Sequence, residues 1–148
     1  MRRCLRVLSV LLPLFCAAQV LPAQDPGRDP QPRQGSGFQL DQNYPNPFNP
    51  ETTIPFTLGD GLFVDGQPAR VSLRIFNILS QLVAQPIALR HPAGAGVELI
   101  DLEYAQPGRY EAFWDGTDRS GRQVASGMYF MQLTVNGETA VRRMLVTK

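Results

Sequence analysis

Cysteine and histidine are nearly missing from this 148-residue chain. Its two cysteines, Cys4 and Cys16, lie within the first 23 residues, and His91 is the single histidine. A chain cut after Ala18 or Ala23 therefore carries no thiol, which excludes a disulfide framework, a thiolate nucleophile and a thiolate metal site. One histidine, followed directly by Pro92, supplies neither a zinc site nor a His-dependent triad. A dominant charge is lacking too. The formal net charge is +1 with no clustered basic face, so a nucleic-acid partner is not expected. Beyond the first 23 residues no apolar run reaches membrane-spanning length, and no window keeps a helical period.

What is present begins with an address. Arg2, Arg3 and Arg6 precede an apolar run over residues 7–15, followed by Ala17, Ala18 and Ala23. Residues 1–23 read as a secretory signal peptide, with cleavage after Ala18 or Ala23, so the chain is expected in the periplasm or beyond. A lipoprotein signal would acylate Cys16, but Phe15 occupies the place where a small residue is wanted. Without the leader, eleven basic side chains face thirteen acidic ones, a net charge of −2. Residues 24–37 hold no apolar side chain except proline and read as a flexible linker. Residues 38–148 then form the folded domain, long enough for a core without disulfides.

That domain opens on an unusual segment. Asn43, Tyr44, Pro45, Asn46, Pro47, Phe48, Asn49 and Pro50 interleave three prolines with two aromatics. Proline fixes φ and restricts its predecessor, which predicts an extended, rigid lead-in whose Tyr44 and Phe48 cap one end of a β-core. Period-two alternation follows. Ile54, Phe56 and Leu58 share one face of a strand that Pro55 assigns to a sheet edge. Val71, Leu73 and Ile75 point inward, Ser72 and Arg74 outward. After a turn at residues 77–80, residues 81–89 read as the hairpin partner. Tyr110, Ala112 and Trp114 form a further inward set, as do Tyr129, Met131, Leu133 and Val135. Asn136-Gly137 is a strong hairpin signal. Residues 59–70 and 90–96 read as loops, with a minor strand around 97–103. About seven short strands with Gly, Pro and Asn punctuation predict an all-β fold, an antiparallel immunoglobulin-like β-sandwich, with a small closed barrel as the alternative.

Candidate chemistry is sparse. Asp115 and Asp118 are spaced as if to grip calcium, but that ion wants about six to eight oxygens. A tight turn in which both carboxylates accept backbone N–H groups, with Gly116 at positive φ, is the expected role. Asp101 and Glu103 lie on one face of the minor strand, as solvated charges do. No cofactor, no small-molecule substrate and no catalytic residue is expected. In the tail, Arg142 and Arg143 interrupt the alternation, which predicts a bulge or a shift of face.

The residues resemble a known family. Segments 40–56, 71–77, 114–121 and 126–130 (Ser-Gly-Met-Tyr-Phe), closing on 142–148 (Arg-Arg-Met-Leu-Val-Thr-Lys), look like the type A C-terminal sorting domain of the type IX secretion system. That domain is related to the immunoglobulin-like domain of the flagellar hook-capping protein. The resemblance covers about residues 38–148, and Trp114, Asp115, Gly116, Gly127 and Tyr129 are among its structural positions. It implies a non-catalytic module that directs export across the outer membrane, with the type IX translocon and its sortase-like peptidase as partners and the cell surface or medium as destination. It also implies that the tail, through Arg142, Arg143, Met144, Leu145, Val146 and Lys148, is what the machinery reads. The leader runs through a short linker straight into this domain, as in a very small cargo or a remnant without its passenger. The alternative is an extracytoplasmic immunoglobulin-like module that binds a partner by edge-strand pairing.

Overall fold

The alternating runs become strands in the computed structural model, which describes residues 37–148. The expected signal peptide and all of the linker but Gly37 lie outside the described residues. The strands are β1 (Phe38–Leu40), β2 (Thr52–Leu58), β3 (Ala69–Asn77), β4 (Leu82–Ala84), β5 (Ile87–Ala88), β6 (Val97–Glu98), β7 (Leu102–Tyr104), β8 (Gly108–Trp114), β9 (Gly127–Val135) and β10 (Glu138–Val146). One sheet runs β1-β2-β8-β5-β6. The other runs β10-β9-β3-β4, with β7 pairing the early part of β3. All these pairings are antiparallel, so the molecule is the immunoglobulin-like sandwich expected from the sequence. Ten strands replace about seven, because five of them have only two or three residues and are too short to show a period. Among the described residues the one helical element is a single 3₁₀ turn, Asp60–Leu62, and no helix is long and apolar enough to cross a membrane.

The predicted inward sets form the core. Ile54, Phe56, Leu58, Val71, Leu73, Ile75, Met131 and Leu133 are fully buried. Closing these faces on each other removes apolar surface from water at roughly 25 cal/mol per Å² and stands in for the missing disulfides. Ser72 points outward as expected but is covered. Its hydroxyl donates to Asp101 Oδ1 (2.9 Å) and accepts the Asp101 N–H (2.9 Å).

Three local expectations are corrected. Strand β2 is not an edge: it lies between β1 and β8. Pro55 is tolerated there because its carbonyl, accepting from Asp41 N (3.0 Å), faces the flank where β1 has already ended at Leu40. Nitrogen and carbonyl of one strand residue face the same side, so the missing donor falls beyond that ladder. Residues 81–89 are only half a hairpin partner. After Ala84 the chain passes Pro86, which cannot donate to a ladder, and crosses to the other sheet as β5. The minor strand over 97–103 is likewise split, β6 joining one sheet and β7 the other, with buried Leu99 between them. Asp101 turns the chain there at φ 49°, so it does not share a strand with Glu103.

Candidate functional site

Prolines 45, 47 and 50 offer no N–H, so the segment between β1 and β2 cannot complete a ladder on its own. It is not the extended lead-in expected from its composition. It folds back: Tyr44 and Thr53 exchange N–H···O bonds (2.9 Å each), and the X–Pro bonds at all three prolines are cis. Asn43 and Thr52, both buried, lock the base of this loop. Asn43 Nδ2 donates to Pro45 O (3.0 Å) and Thr52 Oγ1 (2.9 Å), and the Thr52 hydroxyl donates to Pro45 O (3.1 Å). The capping role falls to one aromatic only. Phe48 is 1% exposed, whereas Tyr44 is 48% exposed. The Tyr44 hydroxyl donates to Glu111 Oε1 (2.7 Å), a bond that raises its pKa.

Phe48 packs edge-on against Trp114 at the end of β8, with centroids 5.4 Å apart, and Trp114 meets Tyr129 of β9 at 5.9 Å. The buried indole satisfies its N–H by donating to Thr117 O (2.8 Å), and the Tyr129 hydroxyl donates to Ala125 O (3.0 Å). Such pairs add about 0.5–1.5 kcal/mol beyond their buried area. The turn after Trp114 fits beneath the proline loop. Gly116 has φ 74°, and a Cβ there would lie 2.1 Å from Pro50 O.

Both carboxylates of the turn bind its backbone. Asp115 Oδ1 accepts from Thr117 N (2.9 Å) and Thr117 Oγ1 (2.6 Å). Asp118 Oδ1 accepts from the Ser120 hydroxyl (2.5 Å), Ser120 N (2.8 Å) and Arg122 N (3.1 Å), while Oδ2 faces Arg122 Nη2 at 3.4 Å. The Ser120 hydroxyl bond, helped by the Arg122 N–H, pulls the Asp118 pKa down to about 2. Among the described residues no group of three or more His, Cys, Asp or Glu side chains could hold a metal ion.

The tail is regular. From Glu138↔Val135 to Val146↔Gly127 the β10–β9 register never slips, so the bulge expected at the arginines is absent. Arg142 takes an inward position at the rim of the sandwich, between Ala140 and Met144. Its Nε crosses to the other sheet and donates to Leu40 O (2.6 Å). A long stem that lies along apolar surface while its head finds an acceptor makes a shift of face unnecessary. The residues expected to be read therefore divide. Met144 and Val146 are buried, Arg142 closes the rim, and Arg143, Leu145 and Lys148 are exposed.

One feature escaped sequence reasoning: the proline loop lies along the outer edge of β10. Phe48 N donates to Leu145 O (3.1 Å), Thr147 N donates to Phe48 O (3.0 Å), and Leu145 N donates to Asn46 Oδ1 (3.0 Å). Gln42 Nε2 adds a bond to Arg143 O (3.0 Å). Asn46 and Leu145 are 99 positions apart, and no local pattern signals such a contact.

Comparison with protein families finds no match to this chain, and comparison with curated proteins finds none either. Three solved structures are similar at low identity. PorZ of Porphyromonas gingivalis, described as an essential bacterial surface component of the type IX secretion system, is 20% identical with a TM-score of 0.43 over 74% of this chain. Dimeric latent PorU of the same organism is 18% identical with a TM-score of 0.47 over 74% of this chain. The alkylpurine DNA glycosylase AlkC of Pseudomonas fluorescens, bound to abasic-site DNA, is 14% identical with a TM-score of 0.45 over 78%. The matches span 11%, 9% and 32% of those chains. At these identities the similarity concerns the kind of fold and does not choose among functions.

Proposed function

We propose that residues 38–148 are a non-catalytic sorting module that directs export across the outer membrane by the type IX secretion system. The translocon and its sortase-like peptidase are the proposed partners, and the route runs from the signal peptide through the periplasm to the cell surface or medium. One observation carries this reading. The sequence blocks behind the family resemblance meet: Asn46 and Phe48 bond Leu145 and Thr147, Phe48 packs on Trp114, and Pro50 sits over Gly116. These blocks hold the last strand in one defined presentation.

The test inserts a fluorescent protein into the linker of the full chain and expresses it in a bacterium with type IX machinery. Fluorescence is expected at the surface or in the medium, and in the periplasm when the machinery is deleted. Deleting residues 142–148 is a poor control, because it removes Met144 and Val146 from the core. A fusion that stays periplasmic while another cargo is exported normally overturns the reading.

The second reading is a partner-binding module that accepts a strand along β10. Among the described residues no hydrogen bond reaches the outer edge of β10 at Thr139 or Val141, so that short stretch is open. From Arg143 onward the edge is occupied by the proline loop.

A further inference from the structure

The outer face of the β10-β9-β3-β4 sheet carries side chains in cross-strand rows. One row is Leu82, Phe76, Phe130 and Arg143, a second is Arg74, Gln132 and Val141, and a third pairs Met128 with Leu145. Met128, Val141 and Leu145 are 43%, 41% and 41% exposed, and Phe76, Phe130 and Leu82 are partly so. Ile78 and Leu79 extend the apolar surface into the exposed β3–β4 turn. Single exposed apolar residues are ordinary, but a contiguous set marks a contact surface.

The charges in these three rows are of one sign. Arg74 and Arg143 are the only charged residues in the three rows. The acidic residues of the face lie towards its other end and are engaged there, Asp101 with Ser72 and Glu103 with Arg70 at 3.3 Å. A second copy docked face to face would set arginine against arginine, whereas an apolar surface rimmed by carboxylates complements both features. The hydrogen-bonding edge of the same strand, from Arg143 to Thr147, is closed by the proline loop. Resting on the sorting reading above, we infer that the export machinery docks on this outer sheet face through an apolar, acid-rimmed protein surface, and not by adding a strand to the end of β10.

Export of the full-chain fluorescent fusion tests this with three variants. Met128→Ser combined with Leu145→Ser is expected to lower surface fluorescence at least tenfold, with the fusion held in the periplasm. Arg143→Glu, which reverses an exposed charge, is expected to lower it as well. Val64→Ser, an equally apolar-to-polar change in an exposed loop outside the face, is expected to leave export unchanged. Thermal melting of each mature variant separates docking from folding, and Arg143→Glu decides if the double variant melts early. If the parent is exported and both face variants are exported equally well with folds intact, the docking inference fails while the sorting reading stands. If the parent itself is not exported, the sorting reading fails. If the mature chain sediments as a dimer that Met128→Ser/Leu145→Ser converts to monomer, a second copy covers the face and the inference is wrong.

Discussion

The two ends of the sandwich are built differently. At one end the proline loop, the Trp114–Gly116 turn and the close of β10 interlock, and Gly116 is where it is because Pro50 O leaves no room for a Cβ. At the other end, where β2 finishes at Leu58 and β8 starts at Gly108, the chain makes the connection 59–68. There Gly61 and Gly66 face open space, with nothing within 4 Å of a Cβ built on either. Glycine is required by packing at Gly116 but not at Gly61 or Gly66; in the 59–68 connection only Gly59, whose Cβ would lie 2.8 Å from Gly37 O, is close-packed. Contact density, not composition, separates an end that presents a strand in one geometry from an end that only joins strands.

The largest effect that tests this contrast is Trp114→Ala. Truncating a buried aromatic costs about 3–5 kcal/mol, a large share of the stability of a domain this size. The variant is expected to lose most of its β circular dichroism or to melt far below the parent. A parent-like melting curve would mean that the interlocked end contributes little. Gly116→Ala comes next. Alanine at φ 74° costs roughly 1–2 kcal/mol from conformation alone, and its Cβ must also displace Pro50. The unfolding free energy from urea titration is expected to fall by more than that amount, and a drop below about 1 kcal/mol would show that the loop over Gly116 yields easily.

Much of the sandwich was legible because β2, β3, β8 and β9 run long enough for alternation to show, and their inward residues were named correctly from period alone. The short strands were not legible, since two or three residues carry no period. Pro55 was assigned to an edge by a rule that holds for whole strands, whereas here one flank of β2 loses its partner partway along. The tail misled because Arg142 and Arg143 read as an interruption of the alternation, although a rim position lets a long side chain bond Leu40 O from an inward site. At the candidate site each block was visible, but their contacts bridge about a hundred positions and depend on how the two sheets close.

Arg142→Ala and Arg143→Ala sharpen the same contrast on neighbouring residues. The first removes a cross-sheet bond to Leu40 O and is expected to lower stability by about 1 kcal/mol in denaturant titrations. The second changes an exposed residue and is expected to stay within about 0.5 kcal/mol. Equal losses would erase the distinction between rim and surface. A smaller effect, visible mainly in acid, belongs to Asp118. Its folded carboxyl titrates at about 2 against an ordinary 3.8, held down first by the Ser120 hydroxyl. The folded state therefore binds the proton less readily than the unfolded chain. The stabilisation is complete above 3.8 and is lost as pH falls towards about 2. Asp118→Ala is expected to melt lower than the parent at neutral pH and to converge with it in that acid window. Parallel melting profiles throughout would show that the turn does not depend on this carboxylate.

A gain in place of a loss is expected at the open end, with Gly61→Ala. Gly61 lies in the single 3₁₀ turn, its φ is not in the left-handed region, and nothing lies within 4 Å of the added methyl. Alanine should therefore fit without strain while removing conformational freedom from the unfolded chain, a gain of about 0.4–1 kcal/mol. The expectation is a melting temperature equal to or slightly above the parent's, opposite in sign to Gly116→Ala. Paired melts of the two variants compare one chemical change at the two ends. If Gly61→Ala destabilises as Gly116→Ala does, the 59–68 connection is packed as tightly as the proline loop, and the difference between the ends disappears.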